Sequence, residues 1–409
     1  MPARLNNLGV AFLCLFENTD DVSDLLESIS ILQRAVRLTP DGHPDMASRL
    51  NNLGVSFRHR FERIGDVSDV SEAISVLQRA IQLTPDGHPD MPMWLSNLGN
   101  SFQRRFERTG LVRDLIEAIS IQRRAVQLTP GGHSDLPMWL NNLGVSLQSR
   151  FEHQGDVSDL SEAISNKLRA VQLAPNGHPS MPVWLDNLGI SFQKRFQRTG
   201  NISDVSEAIS IQQRALQLTP HGHSDMPICL NNIGNSFQSR FERTGDVADL
   251  LEAISNKQKA VRLIPNDHSH MPSILNSLGN SLQSRFELTG NIADVSEAIA
   301  IHQRAAQMTL DGHPDMPIRL NSLGNSFRSR FERTGDVVDL SEAISIQHQT
   351  VQLTRDDHPH MPSMLNDLGV SFQSRFERTG DASDLLEAIL NKQRAVQSPP
   401  TATLRCRCG

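Results

Sequence analysis

Between residues 136 and 175 the apolar positions fall into two sets, each with a helical period. Leu140, Leu143, Leu147 and Phe151 stand at steps of three, four and four, which lines one face of an α-helix, called helix A below. Asp135 is placed to cap its start, Pro137 sits in the first turn where a missing N–H costs little, and Gly155 supplies a left-handed stop. Asp156 then offers a second cap. Leu160, Ala163, Ile164, Ala170, Val171 and Leu173 make a second apolar face, helix B, before Pro175 and the Asn176-Gly177 turn. Each predicted helix is about 16 to 18 residues, or roughly 25 Å, and short polar loops fold the two antiparallel.

The pattern recurs along the chain. A Leu-Gly dipeptide, once Ile-Gly, places glycines at Gly9, Gly54, Gly99, Gly144, Gly189, Gly234, Gly279, Gly324 and Gly369, each 45 residues after the last. A fixed period of this kind marks a stacked array in which a repeat contacts only its neighbours and cannot bury its apolar face alone. About ten apolar side chains must offset the conformational entropy of each repeat, so much of the stability has to come from contacts between repeats. The fold class read from this pattern is all-α.

The spacing Leu140-x2-Leu143-Gly144-x2-Leu147, followed by Ala163-x6-Ala170-x4-Pro175, resembles the tetratricopeptide repeat. Phe102, Phe192, Phe237, Phe327 and Phe372 stand where this repeat has Leu147, and the likeness covers residues 1–397. It implies a right-handed α-solenoid, a superhelix of nine 45-residue antiparallel helix-turn-helix repeats, whose concave groove binds an extended segment of another protein. The repeat exceeds the usual length of about 34 residues by insertions around both turns. The loop Pro85 to Asp90 and the Leu-Asn-Asn-Leu run look like the longer repeats of kinesin light chains. Near-identical arrays of this length also look like those of fungal proteins that join such repeats to caspase-like CHAT or NACHT-type NTPase domains, neither of which is read in this sequence. Residues 398–409 fall outside the pattern and are expected to form a disordered tail.

Hydrophobic residues at 38% and charged residues at 21% suit a packed chain. The net charge of −7 is spread at about one negative charge per repeat, which leaves no basic face for phosphate backbones and argues against a nucleic-acid partner. Cys14, Cys229, Cys406 and Cys408 are too scattered for a disulfide framework, and no run approaches the roughly 18 apolar residues of a membrane span. A cytoplasmic protein without membrane contact is expected.

Candidate chemistry is sparse. Histidines at His43, His88, His133, His178, His223, His268, His313 and His358 occur one per loop, about 10 Å apart in a stacked array, too far to share a metal ion. They are read as turn residues that bond the start of the next helix. Gly132-His133-Ser134-Asp135 lacks the strand-turn-helix setting of a nucleophile elbow, and no phosphate-binding loop occurs, so neither a catalytic residue, a cofactor nor a metal is assigned. Arg60, Arg105, Arg150, Arg195, Arg240, Arg285, Arg330 and Arg375 edge the apolar stripe of helix A, and Arg150 and its equivalents are expected to be largely buried and bonded to a helix-B carboxylate, Asp159 or Glu162 in this repeat, or to a turn carbonyl. The first repeat has Leu15 there instead. Trp94, Trp139 and Trp184 are read as packing residues, with an anchor for a partner as the alternative.

The polar face of helix A carries the functional expectation. Asn141, Asn231, Asn235, Gln238, Asn276, Asn280, Asn321 and Asn325 are assigned to peptide binding, with Arg104, Lys194 and Arg328 favouring an acidic partner. A solvated helix face would more cheaply carry Glu or Lys than Asn. The expected function is a non-catalytic protein-interaction scaffold. The alternative is the regulatory arm of a larger signalling protein with a peptidase or NTPase effector. Near-identical repeats with an uncapped last helix also allow weak head-to-tail self-association.

Overall fold

A computed structural model describes residues 1–175, 177–220, 222–310, 312–356, 358 and 360–397 of the 409-residue chain; the expected tail at 398–409 and Asn176 lie outside them. The described residues form eighteen α-helices and no strand, from Pro2–Thr19 to Ala382–Gln397. Contacts divide the chain into two compact bodies, Met1–Ser191 and Phe192–Gly409. In the first, helices A and B of repeats 1 to 4 pack as consecutive pairs, and the B helices of repeats 1 to 3 also lie on the A helix that follows. The second is built the same way through repeats 6 to 9.

Repeat 4 shows why these residues make these helices. Helix A runs Leu136–Gln154 and helix B Val157–Leu173. Gly155 stops helix A at φ 77°, and its N–H bonds the Phe151 carbonyl at 2.6 Å. The Asp156 carboxylate then accepts from the Ser158 N–H at 2.9 Å and starts helix B. Helix A starts differently from expectation: Asp135 makes no side-chain cap. Its backbone is already helical (φ −92°, ψ −7°), whereas a capping carboxylate reaches the first amides from an extended backbone. The loop histidine takes part instead, His133 Nδ1 accepting from the Asp135 N–H at 3.2 Å. His43, His88, His178, His223, His268, His313 and His358 each accept the same bond, at 3.1 to 3.2 Å.

The core is formed by most of the predicted pair of stripes, but Phe151 and Val171 are only half-buried and Leu173, at the end of helix B, is 42% exposed. Leu140, Leu147, Leu160, Ala163 and Ala170 are fully buried. Within the second body Ile344, under the following helix A, is 6% exposed, whereas its equivalent Ile389 on the last described helix is 45% exposed. Burial of helix B therefore depends on the next repeat, as an array requires.

Two polar features fasten the apolar stripes. The recurrent arginine grips one aspartate of helix B with two N–H groups: Arg105 Nε and Nη2 lie 2.7 Å from the Asp114 oxygens, and Arg150 meets Asp159 at 2.7 and 2.5 Å. Arg60, Arg195, Arg240, Arg285, Arg330 and Arg375 repeat the pairing. Aspartate, not Glu162, is the partner in repeat 4. The buried member is also the aspartate, with side chains of 4 to 7% exposure against 21 to 30% for the arginines. Repeat 1, with Leu15 in place of arginine, leaves Asp24 only half-buried and bonded to Thr19 at 3.3 Å.

The second feature is a peg on helix B. Leu32, Leu77, Gln122, Lys167, Gln212, Lys257, His302 and Gln347 share one register position and are all buried. Leu32, Leu77, Gln122, Lys167, Lys257, His302 and Gln347 lie against the glycine of their own Leu-Gly: a Cβ on Gly144 would stand 2.7 Å from Lys167 Cγ and 3.1 Å from the Ala163 carbonyl. The tips of Gln122, His302 and Gln347 bond Asn100, Asn276 and Asn325 of their own helix A, whereas the lysine tips reach the next one. Lys167 Nζ donates to Ser191 Oγ at 2.8 Å and to the Asn187 carbonyl at 3.1 Å, and Lys257 repeats this with Ser281 and Ser277 at 2.8 and 3.2 Å. Burial pushes the Lys257 ammonium down to about 7, with the negative charge of Glu242 working in the opposite direction.

Two outcomes follow from these fastenings. Arg150→Leu strands the Asp159 carboxylate and should cost about 1 to 3 kcal/mol in urea unfolding, while Arg150→Leu with Asp159→Leu should cost less than the single change. A double variant weaker than the single one would show that the aspartate has another support. Lys257→Gln, which installs the residue of repeats 3, 5 and 8, should raise the urea midpoint most below pH 7. Between about 7 and 10.5 the unfolded chain holds a proton the folded one has lost, so the wild-type protein gains stability with rising pH and the difference between the two shrinks. A difference that stays constant from pH 6 to above 10.5 would contradict the buried lysine.

Candidate binding face on the A helices

The amides assigned to peptide binding sit on a face that is already tied from repeat to repeat. Gln103 Nε2 donates to Ser149 Oγ and to Glu107, both at 3.0 Å. Gln238 does so with Ser284 and Glu242 at 3.1 and 2.9 Å, and Gln283 with Ser329 and Glu287 at 2.8 and 3.1 Å. Higher on the same helices Asn97 donates to Asn51 at 2.9 Å, and Asn321 and Asn325 converge on Asp367 at 3.0 and 3.1 Å. Asn235 accepts from Ser277 at 2.6 Å, and Asn276 stands 3.2 Å from His302 Nδ1.

These bonds use one side of each amide. The NH2 groups of Gln103, Gln238, Gln283 and Asn321 are committed to neighbours, while the carbonyl oxygens of these four and of Asn141 and Asn231 are buried without a hydrogen-bond partner among the described residues. An unpaired buried acceptor costs about 1 to 3 kcal/mol, so the face is left short of donors.

The candidates differ in access. Asn141 and Gln238 are buried, Asn231, Asn235, Asn276, Asn321 and Asn325 half-buried, and Asn280 exposed. In the first body Arg104 and Asn141 line a cleft of about 310 Å³ together with Arg58, Gln103, Gln122 and Asn187. Arg104 bonds Glu62 at 3.1 Å and Glu107 at 2.8 Å, and Arg328 bonds Glu332 at 2.8 Å. Burial works against the Arg104 charge, but Glu107 and Glu62 outweigh it and raise its pKa. Glu62 is itself pulled towards neutrality by burial and held below the usual carboxylate range by Arg58, Arg104 and His59. Lys194 is half-buried in the second body.

The tryptophans are packing residues. Trp94, Trp139 and Trp184 are 2 to 4% exposed and stack on the loop histidines His88, His133 and His178 with ring centroids 4.5 to 5.2 Å apart. Among the described residues no three His, Cys, Asp or Glu side chains are placed to hold a metal, and no helix is long and apolar enough to cross a membrane. The serines that receive the glutamines and the lysine pegs were missed by sequence reasoning. Their signal was a separation of 46 residues for the glutamines, one more than the period, and of 24 for the lysines, visible only when adjacent repeats are compared.

Residues 273–315 match the tetratricopeptide repeat model. No curated protein matches the sequence. Similar solved structures include nearly identical TPR-like repeats of a putative kinesin light chain from Podosopora anserina, at 16% identity, covering 54% of this chain and 99% of that one with a TM-score of 0.40. The C-terminal part of a TPR repeat-containing protein from Cytophaga hutchinsonii is 13% identical and covers 73% and 95%, with a TM-score of 0.44. BtubC (BKLC) from P. vanneervenii is 17% identical and covers 59% and 89%, with a TM-score of 0.38. The family model thus identifies residues 273–315 as a tetratricopeptide repeat, and the chain repeats a two-helix unit at 45-residue intervals.

Proposed function

We propose that this chain is a non-catalytic scaffold that holds an extended segment of a partner protein along its A-helix face. Tetratricopeptide arrays commonly mediate contact between proteins. The observation that carries the reading here is the row of amide oxygens left without donors once the NH2 groups have tied the repeats together. A peptide backbone brings an N–H with every residue, and side chains of Asn or Gln bring two more. Small side-chain rearrangements of the kind common at interfaces bring donor and acceptor together.

The same geometry changes the expected preference. Arg104 and Arg328 already neutralise glutamates of their own array, so an acidic segment would have to displace Glu62, Glu107 or Glu332. A neutral, donor-rich segment fits the face better, with Asn231 and Asn321 as its principal acceptors beside Asn276, whose own oxygen is held 3.2 Å from His302 Nδ1.

Replacing Asn231, Asn276 and Asn321 together by alanine should leave helicity unchanged by circular dichroism. It should weaken a segment selected on the wild-type chain from a displayed peptide library by about tenfold or more, at roughly 0.5 to 1.5 kcal/mol for each lost hydrogen bond. Equal affinity for wild type and triple variant would remove the proposal while leaving the fold untouched.

A further inference from the structure

Cations without a partner among the described residues stand along the B helices of the first body, each one turn from an exposed leucine. In the first body Leu38, Leu83, Leu128 and Leu173 stand at the C-terminal end of four successive B helices and are 47, 47, 48 and 42% exposed. One turn earlier, at i−4 and so on the same side of the helix, are Arg34, Arg79, Arg124 and Arg169, all exposed. Arg34, Arg124 and Arg169 make no ion pair or side-chain hydrogen bond among the described residues, and Arg79 has only a long contact of 3.8 Å to Asp41, itself 99% exposed. The second body repeats the pairing at Arg214 with Leu218, Lys259 with Leu263 and Arg304 with Met308. A chain of net charge −7 thus keeps Arg104 and Arg328 of the groove neutralised and places a cation beside an apolar residue on the B helices of repeats 1 to 7, with Arg304 bonding Asn266 at 2.9 Å, whereas repeat 8 has Gln349 and repeat 9 has Ser398 in that register.

We infer that the C-terminal edge of the B helices in the first body is a docking stripe for an acidic amphipathic helix of a partner protein. Charge complementarity calls for carboxylates, since each rung offers an unpaired guanidinium next to a leucine that gains by leaving water. Position along the helix restricts where they bind. Glu27, Glu72 and Glu117 form a second row two turns nearer the N-terminus, which repels an acidic segment and confines it to the arginine edge, while Glu162 of the same row is paired with Arg123 at 2.6 Å. Spacing selects a helix over a strand. Packed helices advance about 10 Å per repeat, which matches seven residues of an α-helix at 1.5 Å each. Three residues of extended chain also span about 10 Å, but successive side chains of a strand alternate, so every second anchor would face away. A helix with one leucine-glutamate pair per heptad keeps all of its anchors on one side.

The test uses the full chain and a fluorescein-labelled helical peptide of about 28 residues with one Leu-Glu pair in each heptad, followed by fluorescence anisotropy. The peptide should bind, a scrambled peptide of equal composition should bind at least tenfold more weakly, and binding should weaken as salt rises. Arg124→Glu with Arg169→Glu should weaken it about tenfold, and Leu128→Ser with Leu173→Ser should do the same with the salt dependence retained. Both variants change exposed residues, and circular dichroism confirms that they fold. Equal binding of the scrambled peptide, or of either variant, overturns the proposal. So does co-sedimentation of the chain with phosphatidylserine vesicles in the absence of peptide binding, which would make the stripe a membrane contact. Alanine substitution of Asn231, Asn276 and Asn321 should leave this binding unchanged, so failure here and failure of the A-helix reading are separate results.

Discussion

Helices A and B of a repeat meet where a side chain of one rests on a glycine of the other. At Gly144 any Cβ would collide with Lys167, and at Gly279 with the ring of His302. That close approach sets the height of the peg, and at Lys167, Lys257 and Gln212 the tip then lands on the next repeat, on Ser191, Ser281 and Ser236 at 2.8, 2.8 and 2.7 Å. One contact inside a repeat thereby fixes a contact between repeats. The amide and serine bonds across the A helices depend on this spacing, because Gln103 and Ser149 meet only when consecutive A helices are held at the right distance and height. The arginine-aspartate clamp sits at the far end of helix A and keeps the pair from splaying.

Much of this was legible along the chain. Leu140, Leu143 and Leu147 announced helix A by period alone, Gly155 its end and Asp156 the start of helix B, because each of these signals is local. Asp135 misled for the same reason: residue type suggested a cap, and only the backbone angles reveal that His133 holds that turn. Lys167 and Lys257 were hidden by chemistry. A lysine in a helix ordinarily reads as solvent-facing, yet their register matches Leu32 and Leu77, and register prevailed because Ser191 and Ser281 supply acceptors. The choice of Asp159 over Glu162 needed the reach of the arginine from the turn.

The candidate site was legible in outline and different in detail. A row of amides was visible, but a period treats every repeat as the same isolated object and so cannot display a bond from one repeat to the next. Those bonds turn groups that could donate and accept into a face that chiefly accepts. The same bookkeeping of partners moves the positive charge: Arg104 and Arg328 are spoken for on the A helices, while Arg124 and Arg169 are not on the B helices. The two faces of the array thus differ in chemistry, one offering carbonyl oxygens and the other guanidinium groups beside leucines.

Hydrogen-deuterium exchange read by mass spectrometry tests most directly whether the A helices form the binding face. The chain would be measured alone and saturated with a segment selected on it from a displayed peptide library. Added protection is predicted in the A helices, for example Met226–Thr244 and Met271–Thr289, with the intervening helix B, Val247–Leu263, unchanged. Protection confined to the B helices, or absent from both, would contradict the account.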